Sequence, residues 1–449
     1  MQMSDSKQIK KKRNELESHI ELALKAARKY GADAAEISVA EDKGLSVTVR
    51  NGEIETLENH FDKGLAITVF NKQCKGSSST SDFSEKAIRQ AVKTATDIAS
   101  FTAQDEFSGL AEYDELAWDY PDLNLYYPWG VSAEEATEIA IQCETAALKG
   151  DKRIVNSEGA SISSFESFRA YGNSHGFIGS YPASSHSLSC AVIGKENDAM
   201  QRDYWYTAAR DNNLLEDAKR VGKKAAKRTV ARLNAKKLST SKLPILFSPE
   251  MASGLIGHFV VAVSGSSLYR KSSFLLDSLG EKIFPDWMHI YEQPHIVSGL
   301  GSAPFDSEGV KTRSRNIVSH GVIDSYILNS YAARKLKLTT TGNAGGVHNL
   351  CVETGNLNFN AMLKLMDKGL LVTELMGQGI NMVTGDYSRG AAGFWVENGK
   401  IQYPVEEITI AGNLKDMFSN IVAIGNDIDT RLTTRTGSIL VEEMMIAGE

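Results

Sequence analysis

The chain has 449 residues, a formal net charge of −7 and a hydrophobic fraction of 42%. At roughly 150 residues per domain, this length predicts two or three domains, and the composition is that of an ordinary globular protein. Proteins that bind mainly nucleic acid usually carry a basic surface, so the acidic balance argues against direct nucleic-acid binding.

Sequence features that mark export or membrane insertion are absent. No apolar stretch approaches the ~20 residues of a membrane-spanning helix, and no apolar signal-peptide core follows the basic N-terminus. The four cysteines are scattered without a CxxC pair, which predicts neither a disulfide framework nor a compact zinc site: they are Cys74, Cys143, Cys190 and Cys351. We therefore expect a cytoplasmic protein that makes no membrane contact.

The N-terminal half mixes amphipathic helices with alternating strands. An Asn51-Gly52 pair between two alternating segments predicts a β-hairpin, because both turn residues need positive φ. A third strand is predicted at 65–70. Ser132 followed by Glu135 predicts a capping box at a helix start. The helical periodicity predicts helices over residues 8–30, 84–100, 132–150 and 214–233.

The last of these predicted helices is strongly basic. Its apolar positions still form a buried stripe, which favours a solvated basic face over a nucleic-acid surface in this acidic chain. The cations are Lys219, Arg220, Lys223, Lys224, Lys227, Arg228 and Arg232.

A polar, apolar-poor segment at 234–243 predicts a domain boundary. We divide the chain there into an N-terminal α+β domain, 1–238, and a C-terminal β-rich domain, 239–449. Beyond this boundary, strands separated by Gly, Asn and Asp turns dominate. Helices are predicted at 249–263 and 358–367.

A second Asn-Gly pair, Asn398-Gly399, predicts another hairpin in the C-terminal half. The fold class is therefore α+β, with a sheet-plus-helices domain followed by a β-rich, barrel-like domain.

Several catalytic and phosphate-binding motifs are absent from the sequence. There is no GxxxxGK[ST] loop and no GxSxG elbow. None of the nine histidines is followed by Glu, so the chain has no HExxH zinc helix. Metal binding by this chain alone is therefore not expected.

The most distinctive region lies between residues 373 and 414. Backbone-permissive glycines and charged side chains there could clamp an extended peptide by adding it as a strand to a sheet edge. The alternative is a set of barrel corners closed by Gly and Asp turns, with a local Asp386–Arg389 ion pair. The candidate substrate-binding residues are Gly377, Gly379, Asp386, Ser388, Arg389, Gly390, Glu406 and Glu407.

The same region carries a family resemblance. The sequence GDYSRGAAGFWVENGKIQYPVEEITIAGNL, at 385–414, closely resembles the C-terminal signature of the TldD/PmbA family. The segments TTGNAGGVHN at 340–349 and AIGNDIDTR at 423–431 are similar to the PmbA (TldE) branch of that family. The resemblance extends over nearly the whole chain.

The resemblance implies a heterodimeric zinc peptidase. The TldD branch carries an HExxxH helix, with a Cys near the C-terminus as a further zinc ligand. In this chain Pro249 and Gly254 stand at the two His positions, Glu250 keeps its type, and Thr436 stands at the Cys position. We therefore expect no catalytic residue and no metal ligand here, and zinc in a TldD-type partner. Glu250 is then a helix N-terminal residue favoured by the helix dipole.

By resemblance, this chain is one subunit of a metalloprotease for unfolded peptides, such as leader peptides of ribosomal antibiotics and antitoxin-like proteins. It would form a heterodimer with a TldD-type subunit and shape the substrate channel. A homodimer of the isolated chain is left open. Two other functions also stay open: a stand-alone metallopeptidase with an unrecognised metal site, and a non-enzymatic regulatory binding protein that modulates DNA gyrase.

Overall fold

The structure is a computed structural model that describes residues 2–448, with side chains from residue 7 onward. Within these residues no helix has the length and apolar character needed to cross a membrane. The helices are α1 (Gln2–Lys29), α2 (Glu85–Ala99), α3 (Ala133–Leu148), α4 (Ala218–Ala231), α5 (Pro249–Ala262), α6 (Gly265–Tyr269), α7 (Ser330–Leu336), α8 (Phe359–Met366) and α9 (Leu414–Ser419).

The N-terminal half forms one antiparallel sheet. Its strands are β1 (Ala34–Arg50), β2 (Glu53–Asn71), β3 (Cys74–Thr80), β4 (Ile154–Asn173), β5 (Ile178–Glu196) and β6 (Ala199–Ala209), and they lie in the order β3-β2-β1-β4-β5-β6. The hairpin at Asn51-Gly52 is confirmed, with φ values of 54° and 80°. The separate strand expected at 65–70 is wrong, because β2 continues through it in register with β1.

Helices cover one face of this sheet. α1 and α2 pack over β1 and β2, where Ile20, Ile37 and Ile88 are fully buried. α3 and α4 pack over β4 and β5 and form a second apolar cluster. The predicted capping box at the start of α3 is confirmed by the reciprocal bonds of Ser132 and Glu135. Buried apolar area of this kind supplies most of the favourable free energy of folding.

The C-terminal half contains two sheets. The smaller one has the order β10-β9-β8-β11-β16 and comprises β8 (Ile290–Glu292), β9 (Arg315–Ser319), β10 (Val322–Ile323), β11 (Leu350–Val352) and β16 (Thr434–Arg435). The larger one comprises β7 (Ser241–Phe247), β12 (Gly369–Met376), β13 (Asp386–Glu397), β14 (Lys400–Asn413), β15 (Ile421–Ile424) and β17 (Ile439–Ala447).

The larger sheet closes on itself. Its order is β14-β13-β12-β7-β17-β15, and β14 also pairs with β17. This pairing joins β7, β12, β13, β14 and β17 into a barrel, so the predicted barrel-like domain is confirmed. α5 supplies Ile256 and Phe259 to the core that the barrel strands also line. Closure removes strand edges that would otherwise expose unpaired backbone groups.

The two halves contact each other through partly buried arginines. Arg210, which follows β6, donates to the carbonyls of Gly299 and Leu300, each at 2.8 Å. Arg334 on α7 donates to the carbonyl of Phe107 at 2.9 Å. Each guanidinium has several donors in a rigid fork, so it can bind several carbonyls of the neighbouring unit at once.

Candidate functional site

A cleft of about 650 Å³ lies where the N-terminal sheet meets the barrel. Trp205 of β6 and Arg228 of α4 line one side of it. Glu250 at the start of α5 and Arg431 from the loop after β15 line the other side. The cleft therefore collects charged side chains from segments that are far apart in the sequence.

The start of α5 places Glu250 in the cleft. Pro249 opens the helix, where its missing N–H would be unpaired in any case. Glu250 follows in the first turn, where the helix dipole favours a carboxylate. The predicted helix and the predicted position of Glu250 are both confirmed. Ser248 is 7% exposed, and its Oγ has no hydrogen-bond partner among the residues that the structure describes.

The Glu250 carboxylate binds two guanidinium groups. Arg431 Nη2 donates to its Oε1 at 3.0 Å, and Arg228 Nη1 lies 3.5 Å from its Oε2. Arg431 also pairs with Asp429 at 2.6 Å and lies over the Trp205 ring, 3.9 Å from the ring centroid. Glu250 is thus a hydrogen-bond acceptor within a network of ion pairs and cation–π contacts.

Burial and local charge shift the pKa values around this network. Burial lowers the pKa of Arg431, but the hydrogen bond and charge of Asp429 outweigh it and raise the pKa above the ordinary value. Burial also lowers the pKa of Lys224, with the charge of Glu216 opposing the shift. The Lys224 amine lies 3.4 Å from the centroid of the Trp205 ring. The guanidinium of Arg431 therefore stays charged at any physiological pH.

The donor set at the positions matched to the family's zinc helix does not fit a zinc ion. Proline and glycine offer no side-chain donor at positions 249 and 254. Thr436 is fully buried, and its hydroxyl donates to the carbonyl of Gly437 at 3.1 Å. Glu250 is bound to the two arginines. Within residues 2–448 no three His, Cys, Asp or Glu side chains converge on a common metal position.

Part of the predicted substrate-binding set gathers at the turn between β12 and β13. The Ser388 N–H donates to the carbonyl of Gly379 at 2.7 Å. A Cβ on Gly379 would lie 1.8 Å from the Ser388 carbonyl oxygen, so only glycine permits this approach. Gly377 has a φ of 76°, which favours glycine. Close backbone packing explains these glycines without a ligand.

The expected ion pair between Asp386 and Arg389 is wrong. Asp386 accepts a hydrogen bond from the Thr384 hydroxyl at 2.6 Å and another from Asn413 at 3.4 Å. Residues three apart on a strand point to opposite faces of the sheet, so the two side chains of β13 cannot meet.

Arg389 instead lies near Tyr387 and the α5 residue His258. Burial lowers the pKa of His258, and the charge of Arg389 lowers it further. Burial raises the pKa of Tyr387 to about 12, although Arg389 opposes the shift. The Arg389 Nε is buried and has no hydrogen-bond partner within the described part of the chain. Gly390 follows on the same strand and lies against Met376 of β12.

Glu406 and Glu407 lie elsewhere, at a bulge in β14. Glu406 accepts a hydrogen bond from Gln201 of β6, and Glu407 pairs with Lys237 at 3.1 Å. The bulge stands opposite Ala392, six residues along β13 from Asp386, which is about 20 Å at 3.3 Å per residue. The structure therefore places Glu406 against β6 and Glu407 against the segment that joins the two halves, and neither lies beside the β12–β13 turn.

Few features of the sequence indicate the cleft. Arg228 belongs to the basic helix whose pattern predicts a solvated face, and no sequence feature singles out Trp205. Arg431 ends the segment AIGNDIDTR, which contributed only to the resemblance. The available clue was a charged residue at the end of a turn-rich segment, but the partner of Arg431 lies 181 residues away along the chain.

Three family models match the chain in sequence order. They describe domain 1 (residues 35–99), the central domain (126–233) and the C-terminal domain (240–448) of PmbA/TldA metallopeptidases. A curated relative, Metalloprotease PmbA of Escherichia coli O157:H7, is 51% identical over 442 residues, covering 98% of each chain. The chain belongs to the PmbA/TldD family of metalloproteases.

Solved structures share the fold of this PmbA/TldD-family chain. A protein of Bacteroides thetaiotaomicron named as a candidate modulator of DNA gyrase aligns with a TM-score of 0.91 and 31% identity, over 96% of this chain and 99% of its own. TldE from Thermococcus kodakarensis aligns with a TM-score of 0.84 over 96% of this chain and 100% of its own. At 21% identity, the latter supports the fold alone.

Proposed function

We propose that this chain is the subunit of a PmbA/TldD-family metalloprotease that shapes the substrate channel and has no zinc site of its own. Zinc would be held by a TldD-type partner in a heterodimer. The substrates would be unfolded or flexible peptides, including leader peptides of peptide antibiotics and antitoxin-like proteins.

One observation carries this proposal. At the position matched to the motif glutamate of the zinc helix, Glu250 is bound by Arg431 at 3.0 Å and by Arg228 at 3.5 Å. Both oxygens of this carboxylate are engaged by guanidinium groups, so neither is free to hold and activate a water molecule. A cation bound at this carboxylate would also have to displace two positive charges.

The same proposal gives the β12–β13 region a role in holding peptide. Met376, Gly377, Gln378 and Gly379 are exposed where β12 ends. Exposed backbone of this kind can pair with an extended peptide irrespective of its side chains. Arg389 on the adjacent strand is partly exposed, and in this proposal its guanidinium orients a substrate carbonyl or carboxylate.

Metal analysis and reconstitution test the proposal together. The purified chain, a TldD-type protein and their mixture are each analysed for zinc and then incubated with an unfolded peptide. We expect zinc only in the TldD-type protein, copurification of the two chains, and cleavage that requires both. Stoichiometric zinc and cleavage in this chain alone would instead establish a stand-alone metallopeptidase.

An Arg389→Ala substitution tests the peptide-holding role. We expect at least about a tenfold loss of kcat/KM in the reconstituted pair, because one charge-assisted hydrogen bond contributes about 1.5–3 kcal/mol. R270A, which removes an exposed arginine, serves as the control. An intact heterodimer that cleaves at the wild-type rate would remove Arg389 from the substrate site.

The name of the Bacteroides neighbour supports a second candidate, regulation of DNA gyrase by direct protein contact. The negative net charge argues against contact with the DNA itself. A pull-down of gyrase by this chain in cells that lack the TldD-type partner would favour this function. Loss of gyrase capture without the partner would favour the peptidase role.

A further inference from the structure

A second groove, separate from the cleft at Glu250, lies between the exposed sides of α3 and α4. Its volume is about 890 Å³. Ile141 and Ala146 of α3 and Val230 and Ala231 of α4 contribute apolar surface to it. An open groove with an aliphatic floor offers burial to apolar side chains of a ligand.

Lysines border this groove. Lys149, which caps the C-terminus of α3, and Lys219, Lys223 and Lys227 of α4 line it, and all four are exposed. In the part of the chain that the structure describes, none of the four amines forms an ion pair with a carboxylate. The acidic lining residue, Asp151, is already paired with Arg153 at 2.9 Å.

The spacing of the lysines on α4 is unfavourable for the isolated helix. Lys219, Lys223 and Lys227 follow each other at four-residue intervals, and like charges at this spacing destabilise a helix. A ligand with carboxylates along the row would relieve this repulsion. The row of lysines and the apolar residues of α4 that line the groove extend from residue 219 to residue 230. At 1.5 Å per residue this is about 17 Å, the length of about three turns of a helical ligand.

We propose that the groove between α3 and α4 binds an acidic amphipathic segment of another polypeptide. Its apolar side chains would enter the groove, and its carboxylates would pair with Lys219, Lys223 and Lys227. The whole chain carries a net charge of −7, so most of its surface would repel an acidic ligand. The row of lysines at the groove would instead attract such a ligand. The aliphatic floor of the groove favours a peptide over nucleic acid. A nucleic acid would bind through aromatic side chains that stack on its bases, or through contacts of the lysines with its phosphates, and neither uses an aliphatic floor.

A direct binding measurement tests this inference without any protease assay. The probe is a fluorescein-labelled synthetic helix of about 14 residues with leucines at three- and four-residue spacing and glutamates elsewhere. We expect saturable binding by fluorescence anisotropy that weakens as salt is raised. The variant K219E/K223E/K227E should raise the Kd about tenfold or more, since it reverses three contacts that each contribute modestly.

Two further variants separate charge from shape. K93E/K400E/K415E changes the net charge equally at exposed positions outside the groove and should leave the Kd unchanged. A146W fills the groove without changing charge and should also weaken binding about tenfold. This second variant keeps the test decisive if the triple substitution at the groove fails to fold.

Three results would overturn the inference. One is a Kd that shifts equally in the groove variant and the charge-matched control. Another is equal binding of a basic peptide of the same length and leucine spacing. The last is a pattern of three observations. A duplex DNA oligonucleotide binds the wild type, this binding is lost in K219E/K223E/K227E, and the acidic peptide shows no binding with a Kd below about 1 mM.

Discussion

At the scale of single residues, Arg431 has the largest set of contacts in the cleft. It binds Glu250 and Asp429, donates to the carbonyl of Tyr206 at 2.9 Å and lies over Trp205. Its side chain is 13% exposed, so these contacts are little screened by solvent. Arg431 thus connects the start of α5, the loop after β15 and strand β6 within one network of contacts.

Removing Arg431 should destabilise the fold. R431A leaves the carboxylates of Asp429 and Glu250 partly unpaired in a largely buried position, and we expect the free energy of unfolding to fall by about 2–3 kcal/mol. Urea denaturation measures this change. The control is R202A, which breaks an exposed ion pair with Glu158 and should change stability by no more than about 0.5 kcal/mol. Equal effects of the two variants would show that the network is not stabilising.

Buried His186 predicts a pH dependence of stability. Burial lowers its pKa, with a hydrogen bond to the Tyr127 carbonyl opposing the shift. The unfolded chain therefore takes up the proton first, at about pH 6.5. The free energy of unfolding should therefore decrease as the pH falls from about 6.5 to the lowered pKa of His186 in the folded protein.

Urea titrations of H186N at pH 7.5 and 5.5 isolate this contribution. The variant should lose less stability between the two pH values than the wild type does, whatever its absolute stability. H175N, which replaces an exposed histidine, should retain the wild-type difference. An unchanged difference in H186N would mean that His186 does not set the acid sensitivity.

At the scale of elements, two glycines in helices have opposite surroundings. A Cβ on Gly222 of α4 would lie 2.0 Å from the Cys143 carbonyl oxygen, so this glycine allows α4 to approach α3 closely. A Cβ on Gly254 of α5 would meet nothing within 4 Å. The glycine at the degenerate motif position is therefore not required by packing.

The two alanine substitutions should change stability in opposite directions. G254A should raise the free energy of unfolding by about 0.5–1 kcal/mol, because alanine loses less backbone entropy in a helix. G222A should lower it by about 1–3 kcal/mol, because the backbone of α3 must move away. Thermal and urea unfolding of both variants check this. Stabilisation by G222A would contradict the close contact between the helices.

At the scale of the whole molecule, the N-terminal sheet and the C-terminal barrel are joined by specific hydrogen bonds. Arg210 links the carbonyl of Ser184 in β5 to the carbonyls of Gly299 and Leu300. Since the Arg210 side chain is partly buried, water competes with these hydrogen bonds less than it would at a fully exposed site. We therefore expect the two halves to unfold together.

R210A should weaken this coupling. The calorimetric transition should broaden or split, so that the ratio of calorimetric to van't Hoff enthalpy rises relative to the wild type. The control is R50A, which removes a hydrogen bond to Ser157 within the N-terminal sheet. That variant should lower the transition temperature without changing the ratio. A single sharp transition in R210A would show that other contacts suffice for coupling.

Local features of the fold could be predicted from the sequence. The capping box at Ser132, the Asn-Gly hairpins and the start of α5 at Pro249 depend on turn chemistry and helix periodicity within a few residues. The lack of donor atoms at positions 249 and 254 is likewise a property of the residue types alone. Family membership followed from a long contiguous signature.

Only the tertiary structure decided which distant residues meet. The pairing of β14 with β17 that closes the barrel depends on strands separated by tens of residues, and no local pattern specifies it. Charge partners are equally non-local. Arg431 pairs with Glu250, which lies 181 residues away along the chain, while the nearby residues Arg389 and Asp386 point to opposite faces of β13. Sequence fixes each side chain and its local backbone, whereas packing of the assembled layers determines the contacts among them.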